Sequence, residues 1–148
     1  SISVSTQGYK VYLKEDYPDA PAKIAALQTT DDLNYSGVLS DYFSSRPGQA
    51  SFDWFTSTLK KPGNPDNYEL IQGFGSMLKQ MNDSALVKKG IEQLFSMGME
   101  GKKAEVVIGS FQVLKIFQAW PDVRQKRLKI LEAHQKADFV EVLEYLKD

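Results

Sequence analysis

The chain has 148 residues, of which 42% are hydrophobic and 25% are charged, and its formal net charge at pH 7 is −1. This length suffices for one domain with a hydrophobic core, and the near-neutral charge gives no global signature of nucleic-acid or membrane-surface binding. Because the chain contains no cysteine, disulfides, thiolate catalysis and cysteine-ligated metal sites are excluded.

The opening stretch SISVSTQGYKVYLKED alternates apolar and polar residues on both sides of a break at Gly8. A period of two around a glycine-containing turn is typical of a β-hairpin. We therefore predict a hairpin over residues 1–16. The alternating positions are Ile2, Val4 and Thr6 before the break and Tyr9, Val11 and Leu13 after it.

From Asp19 onward, apolar residues recur every three or four positions, which predicts helices. Two short helices come first, one carrying Ile24 and Leu27 and one with a face of Tyr35, Val38, Leu39 and Tyr42. A third runs from Ser51 to Leu59, and the sequence KPGNP at 61–65 predicts a loop after it.

The second half of the chain predicts longer helices. One follows Asp66 or Asn67, and the next ends near Gly101. Residues 103–120 are apolar on most sides, which predicts a central, buried helix; the segment is too short and too polar to span a bilayer. Pro121 ends it, Asp122 is a candidate cap for the following helix, and a last helix covers residues 137–147.

The predicted fold class is mainly α. We expect a single domain over residues 1–148, with a hairpin at 1–16 and a helical body at 19–148 that forms a bundle of about seven helices. No signal peptide is recognised at the start, and the sequence assigns no compartment.

Residues with catalytic potential are sparse. His134 is the only histidine, and no Gly-x-Ser-x-Gly elbow marks a nucleophile. The pair Gly73 and Gly75 lacks the third glycine of a nucleotide loop, because residue 78 is leucine. In a helix, these glycines instead indicate close approach of a neighbour. We therefore predict a protein that is not an enzyme and has no cofactor and no metal site.

The hairpin is our first candidate for a partner-binding site, because its strand edges offer backbone hydrogen bonds to another chain. Trp54 and Phe55 are adjacent, so they point to different sides of a helix, and one of them should meet something other than the main core. That aromatic ring either covers the hairpin or a loop, or anchors a partner. The predicted partner-binding residues are Ile2, Val4, Tyr9, Val11, Trp54 and Phe55.

The expected function is therefore protein–protein interaction or assembly, as a structural subunit, adaptor or inhibitor-like binder. The partner is another protein or a second copy in a homo-oligomer.

A basic segment provides the alternative function. Residues 122–136 carry a net charge of +3, which predicts a solvated helix face, a ridge that binds nucleic acid or another polyanion, or a contact with an acidic protein surface. The segment lacks the interleaved aromatics of single-strand binders. A further alternative is an enzyme or small-ligand binder whose site is not visible in the sequence. The candidate polyanion-binding residues are Arg124, Lys126, Arg127 and Lys129.

Overall fold

A computed structural model describes residues 18–28, 36–61 and 67–148 of the chain. These residues form eight α-helices and one 3₁₀ turn, and no strand occurs among them. The prediction of a mainly helical protein is confirmed. The predicted hairpin at 1–16 lies outside the described residues. The chain divides into two compact units, with the boundary between Met77 and Leu78, and the single-domain expectation stays a prediction.

The first unit contains α1 (Ala20–Gln28), α2 (Ser36–Ser44), α3 (Gln49–Leu59) and most of α4 (Asn67–Lys79). Its core is aromatic: the ring of Phe74 lies 5.9 Å from that of Phe52 and 5.6 Å from that of Phe55, centroid to centroid. Gly73 allows this packing, because a Cβ there would collide with the Ser40 side chain and press on Phe55. Of the two glycines in α4, Gly73 therefore has a packing role.

The second unit contains α5 (Ser84–Glu100), α6 (Ala104–Leu114), a 3₁₀ turn (Lys115–Phe117), α7 (Val123–Ala133) and α8 (Val140–Leu146). Helix α6 contacts all three other helices of the unit, and α7 also packs beside α5 and α8. This agrees with the central position predicted for the apolar segment. Within the described residues, no helix has the length and apolar composition required to cross a membrane.

Two aspartates illustrate how helix starts are encoded. Asp83 caps α5, since its Oδ1 accepts hydrogen bonds from the backbone N–H groups of Ala85 at 3.1 Å and Leu86 at 3.2 Å. Asp122 precedes α7 as predicted, but it adopts a left-handed conformation with φ of 66° and its side chain makes no cap hydrogen bond. The residue turns the chain after Pro121 and does not serve as a side-chain cap.

Gly98 sets the distance between α5 and α7. A Cβ at this position would overlap Cδ1 of Ile130, and Ile130 is fully buried. A methyl group at position 98 would therefore require the Ile130 side chain to move.

We expect Gly98→Ala to lower the free energy of unfolding by about 1–3 kcal/mol, because the added methyl overpacks a closed contact. Urea denaturation followed by circular dichroism measures the change. Ser96→Ala, at an exposed position of the same helix, is the control and should stay within about 0.5 kcal/mol of wild type. Equal stability of the two variants would contradict this account of Gly98.

Candidate interaction surface

Arg127 is buried, with only 5% of its surface exposed, although the sequence placed it in a solvent-facing ridge. Its guanidinium donates three hydrogen bonds to backbone carbonyl oxygens. Nε donates to Phe111 at 2.9 Å, Nη1 to Lys147 at 2.9 Å and Nη2 to Leu146 at 3.0 Å. The group also lies 4.0 Å from the centre of the Phe111 ring. One side chain of α7 thus joins α6 to the carboxyl end of α8.

Burying the charged guanidinium of Arg127 costs desolvation free energy, and its three hydrogen bonds offset that cost. Burial lowers the pKa of the Arg127 guanidinium below its usual value, while the nearby carboxylate of Asp148 acts in the opposite direction. An arginine remains protonated in proteins, so the charge is retained and must be solvated by the chain itself. The last carbonyls of α8 lack partners within their own helix, and they accept two of the three bonds.

Arg127 is therefore removed from the candidate polyanion site, and the other three cations do not form the predicted ridge. Arg124 and Lys129 are exposed, and Lys126 is half-buried with Nζ 5.1 Å from the centre of the Phe95 ring. At about 100° per residue, Arg124 lies roughly 140° around α7 from Lys129 and 160° from Lys126. Lys126 and Lys129 therefore share one flank of the helix, about 60° apart, whereas Arg124 lies on another.

Two shallow clefts flank Arg127 and Asp148, which line both of them. The first, of about 330 Å³, is bounded on one side by Arg124 and Leu128. The second, of about 410 Å³, is bounded by Tyr145 together with Lys115. Leu128 and Tyr145 thus border different clefts, and the two clefts share Arg127 and Asp148 at the carboxyl end of α8.

Four large apolar side chains of the second unit are exposed, and two of them, Leu128 and Tyr145, line these clefts. Tyr145 is 87% exposed and Leu128 is 57% exposed. Ile116 and Val142 are exposed to 47% and 43%. Single exposed apolar residues are ordinary on a protein surface, and these four lie on three adjoining elements of the second unit, the 3₁₀ turn, α7 and α8.

The aromatic pair in α3 behaves in the two different ways that its adjacency predicts. Phe55 is fully buried, so it contacts the core and is not part of a partner-binding surface; this part of the prediction is wrong. Trp54 is half-buried, stacks on Phe43 at 5.0 Å and meets Phe55 edge-on at 4.9 Å. Its ring covers other aromatic rings of the first unit.

The four N-terminal residues of the predicted partner site, Ile2, Val4, Tyr9 and Val11, lie outside the described residues. His134 is accounted for as an interhelical contact: its Nε2 lies 2.7 Å from the carbonyl oxygen of Gly98, and its ring packs 5.6 Å from that of Phe139. Since a carbonyl only accepts, Nε2 carries the hydrogen. Within the described part of the chain, no cluster of His, Cys, Asp or Glu could hold a metal ion.

Sequence reasoning missed the exposure of Leu128 and Tyr145. In α7, the buried residues Val123, Arg127, Ile130 and Leu131 form one inward stripe. Recognising this stripe in the sequence would have placed Leu128 on the exposed side. Because Arg127 was assigned to the exposed ridge, the stripe was not recognised. In α8, Leu143 is the buried centre, so Tyr145, two positions on, must point away from it.

Comparison of the chain with protein-family models, with curated proteins and with solved structures gave no match.

We expect Arg127→Met to lower the free energy of unfolding by about 2–4 kcal/mol, because three carbonyl oxygens lose a charged donor. Arg127→Lys should lose about 1–3 kcal/mol, since one ammonium cannot reproduce the planar three-way contact. Urea unfolding of both variants is the measurement.

Arg124→Met serves as the matched control for this experiment, because Arg124 is an exposed arginine of the same helix. It should alter stability by less than about 0.5 kcal/mol. If Arg127→Lys were as stable as wild type, charge alone and not the fork geometry would explain the position.

Proposed function

We propose that this protein is a non-enzymatic interaction protein that binds another protein chain through the outward faces of α7 and α8. We call this region the α7–α8 surface. It consists of Arg124, Leu128 and Lys129 on α7 and Glu141, Val142, Glu144 and Tyr145 on α8.

The observation that carries the proposal is the exposure of Tyr145 and Leu128, at 87% and 57%, on neighbouring helices. Tyrosine is enriched among the residues that dominate binding energy, because it buries a large ring and offers a hydroxyl at a small entropy cost. Both side chains border the paired clefts around Arg127, which provide a concave contour beside the exposed apolar groups.

The use of the chemically capable side chains supports a non-enzymatic role. The only histidine of the sequence engages the carbonyl of Gly98, and the buried Arg127 engages three further carbonyls. A general acid–base or an anion-binding group must direct its polar atoms at a substrate. These two groups direct theirs at the backbone of the same chain.

The N-terminal strand edge remains a hypothesis for a second contact, with Ile2, Val4, Tyr9 and Val11 as its residues. Trp54 is the aromatic residue to consider with it, since Trp54 keeps part of its surface exposed whereas Phe55 does not.

Replacing Tyr145 by the photoreactive residue p-benzoylphenylalanine tests the proposal. On irradiation of cells that express the full chain, we expect a covalent adduct with a protein that mass spectrometry identifies. Leu128→Glu in the same chain should reduce its yield at least about fivefold, because a charge at the centre of an apolar contact disfavours burial.

The same photoreactive residue at Glu92, an exposed position of α5, is the control for random encounters. Equal adduct yields at positions 92 and 145 would show that the α7–α8 surface is not a binding site. A yield at position 145 that is unchanged by Leu128→Glu would show the same.

Polyanion binding is the second candidate, and the exposed Arg124 and Lys129 favour it. With Arg127 engaged internally, three cations of α7 remain. Each phosphate contact contributes a slope of about −0.9 to the dependence of log K on log salt for duplex DNA. We therefore expect a slope no steeper than about −3 from α7.

Binding of a fluorescent DNA duplex across a salt series measures this slope. Arg124→Glu should make it shallower by about one contact, whereas Lys88→Glu on α5 is the control of equal charge change. A slope near −3 that becomes shallower with Arg124→Glu and not with Lys88→Glu would favour polyanion binding over protein binding.

A further inference from the structure

We infer that the chain occupying the α7–α8 surface is a second copy of this protein, with α7 of each subunit against α8 of the other. This inference rests on the proposed function and specifies its partner. It is argued from the charges, the spacing and the exposure of the residues on the two helices.

The segments that contain α7 and α8 carry opposite formal charge. Residues 122–136 contain five cationic and two anionic side chains, a net of +3, and residues 137–148 contain one cationic and four anionic side chains, a net of −3. One of the five cations is the buried Arg127, so the remaining side chains of the first segment give a net of +2. A surface of this kind is complementary to itself, because its basic half fits its own acidic half in another copy.

Arg127 is engaged by backbone carbonyls, but the exposed charges of the two helices are not paired with each other within the subunit. Glu144 pairs with Lys147 of its own segment at 3.4 Å, with both side chains close to half exposed. In the part of the chain that the structure describes, no salt bridge joins a cation of α7 to a carboxylate of α8. The favourable pairing of opposite charges is therefore open to a partner.

The spacing of charged and apolar residues is the same on both helices. Arg124 precedes Leu128 by four residues, and Glu141 precedes Tyr145 by four. Residues four apart lie on one face of a helix, separated by about 6 Å along its axis. All four of these side chains are exposed. When α7 of one copy lies parallel to α8 of the other, Arg124 meets Glu141 of the partner subunit and Leu128 meets Tyr145 of the partner subunit in one register.

Twofold symmetry completes the arrangement. In a twofold dimer the same patch of each subunit is used, so a contact from α7 to α8 is repeated from α8 to α7. Two apolar pairs then lie beside two ion pairs. The apolar pairs would supply most of the affinity, and the ion pairs would fix the orientation and exclude like-charged alignments.

A charge exchange between the two helices tests the inference. Arg124→Glu and Glu141→Arg are prepared as separate variants and as one doubly substituted chain, and sedimentation velocity is recorded over a concentration series. We expect wild type to dimerise and each single variant to dissociate at least about tenfold more readily, since each places like charges opposite one another. An equimolar mixture of the two single variants, and the double variant alone, should recover dimers.

Lys88→Glu is the matched control, because it changes the net charge as Arg124→Glu does, at an exposed position of α5. It should dimerise as wild type does, and it should not form mixed dimers with Glu141→Arg in preference to its own. Circular dichroism confirms that each variant is folded.

Three results would overturn the inference: a wild type that is monomeric throughout, a dimer insensitive to either single variant, or a mixture that fails to recover dimers. These are distinct from failure of the proposed function. An adduct at position 145 with a different protein would uphold protein binding and exclude the second copy as its partner, whereas the absence of a specific adduct would remove both.

Discussion

The second unit depends on one buried cation that hydrogen-bonds to the backbone. Arg127 lies on the inward stripe of α7, contacts α6 through the carbonyl of Phe111, and binds the last carbonyls of α8. Helix α8 has seven residues and would be marginal alone in water. Its position is therefore set by tertiary contacts: the buried Leu143 on one side and the guanidinium of Arg127 at its carboxyl end.

This inward arginine also determines what the surface presents. Because Arg127 takes a core position, its neighbour Leu128 is rotated about 100° away and stands in solvent. The carboxyl end of α8 is drawn toward α6 and α7, and Tyr145 is left outside. The exposed apolar residues of the α7–α8 surface thus follow from the same contact that holds the three helices together.

The helical architecture was largely predictable from periodicity, whereas the roles of single side chains were not. The stripe containing Leu70, Ile71 and Phe74 is buried as its spacing indicates, and the apolar segment beginning near residue 103 is central. Arg127 could not be placed in this way. Composition assigns arginine to the surface, and only the fold brings three carbonyl acceptors to it from residues 16 to 20 positions away. The conformation of Asp122 was missed for a related reason. Aspartate is common both as a helix cap and in left-handed turns, so the residue type does not separate the two roles.

The hydrogen bond from His134 to Gly98 joins the residue that follows α7 to the backbone of α5. The same glycine lacks a Cβ where the Ile130 side chain of α7 approaches. Position 98 therefore serves two contacts between these helices, one through its carbonyl oxygen and one through the absence of a side chain. A substitution there disturbs the packing contact alone, because every residue retains the carbonyl oxygen.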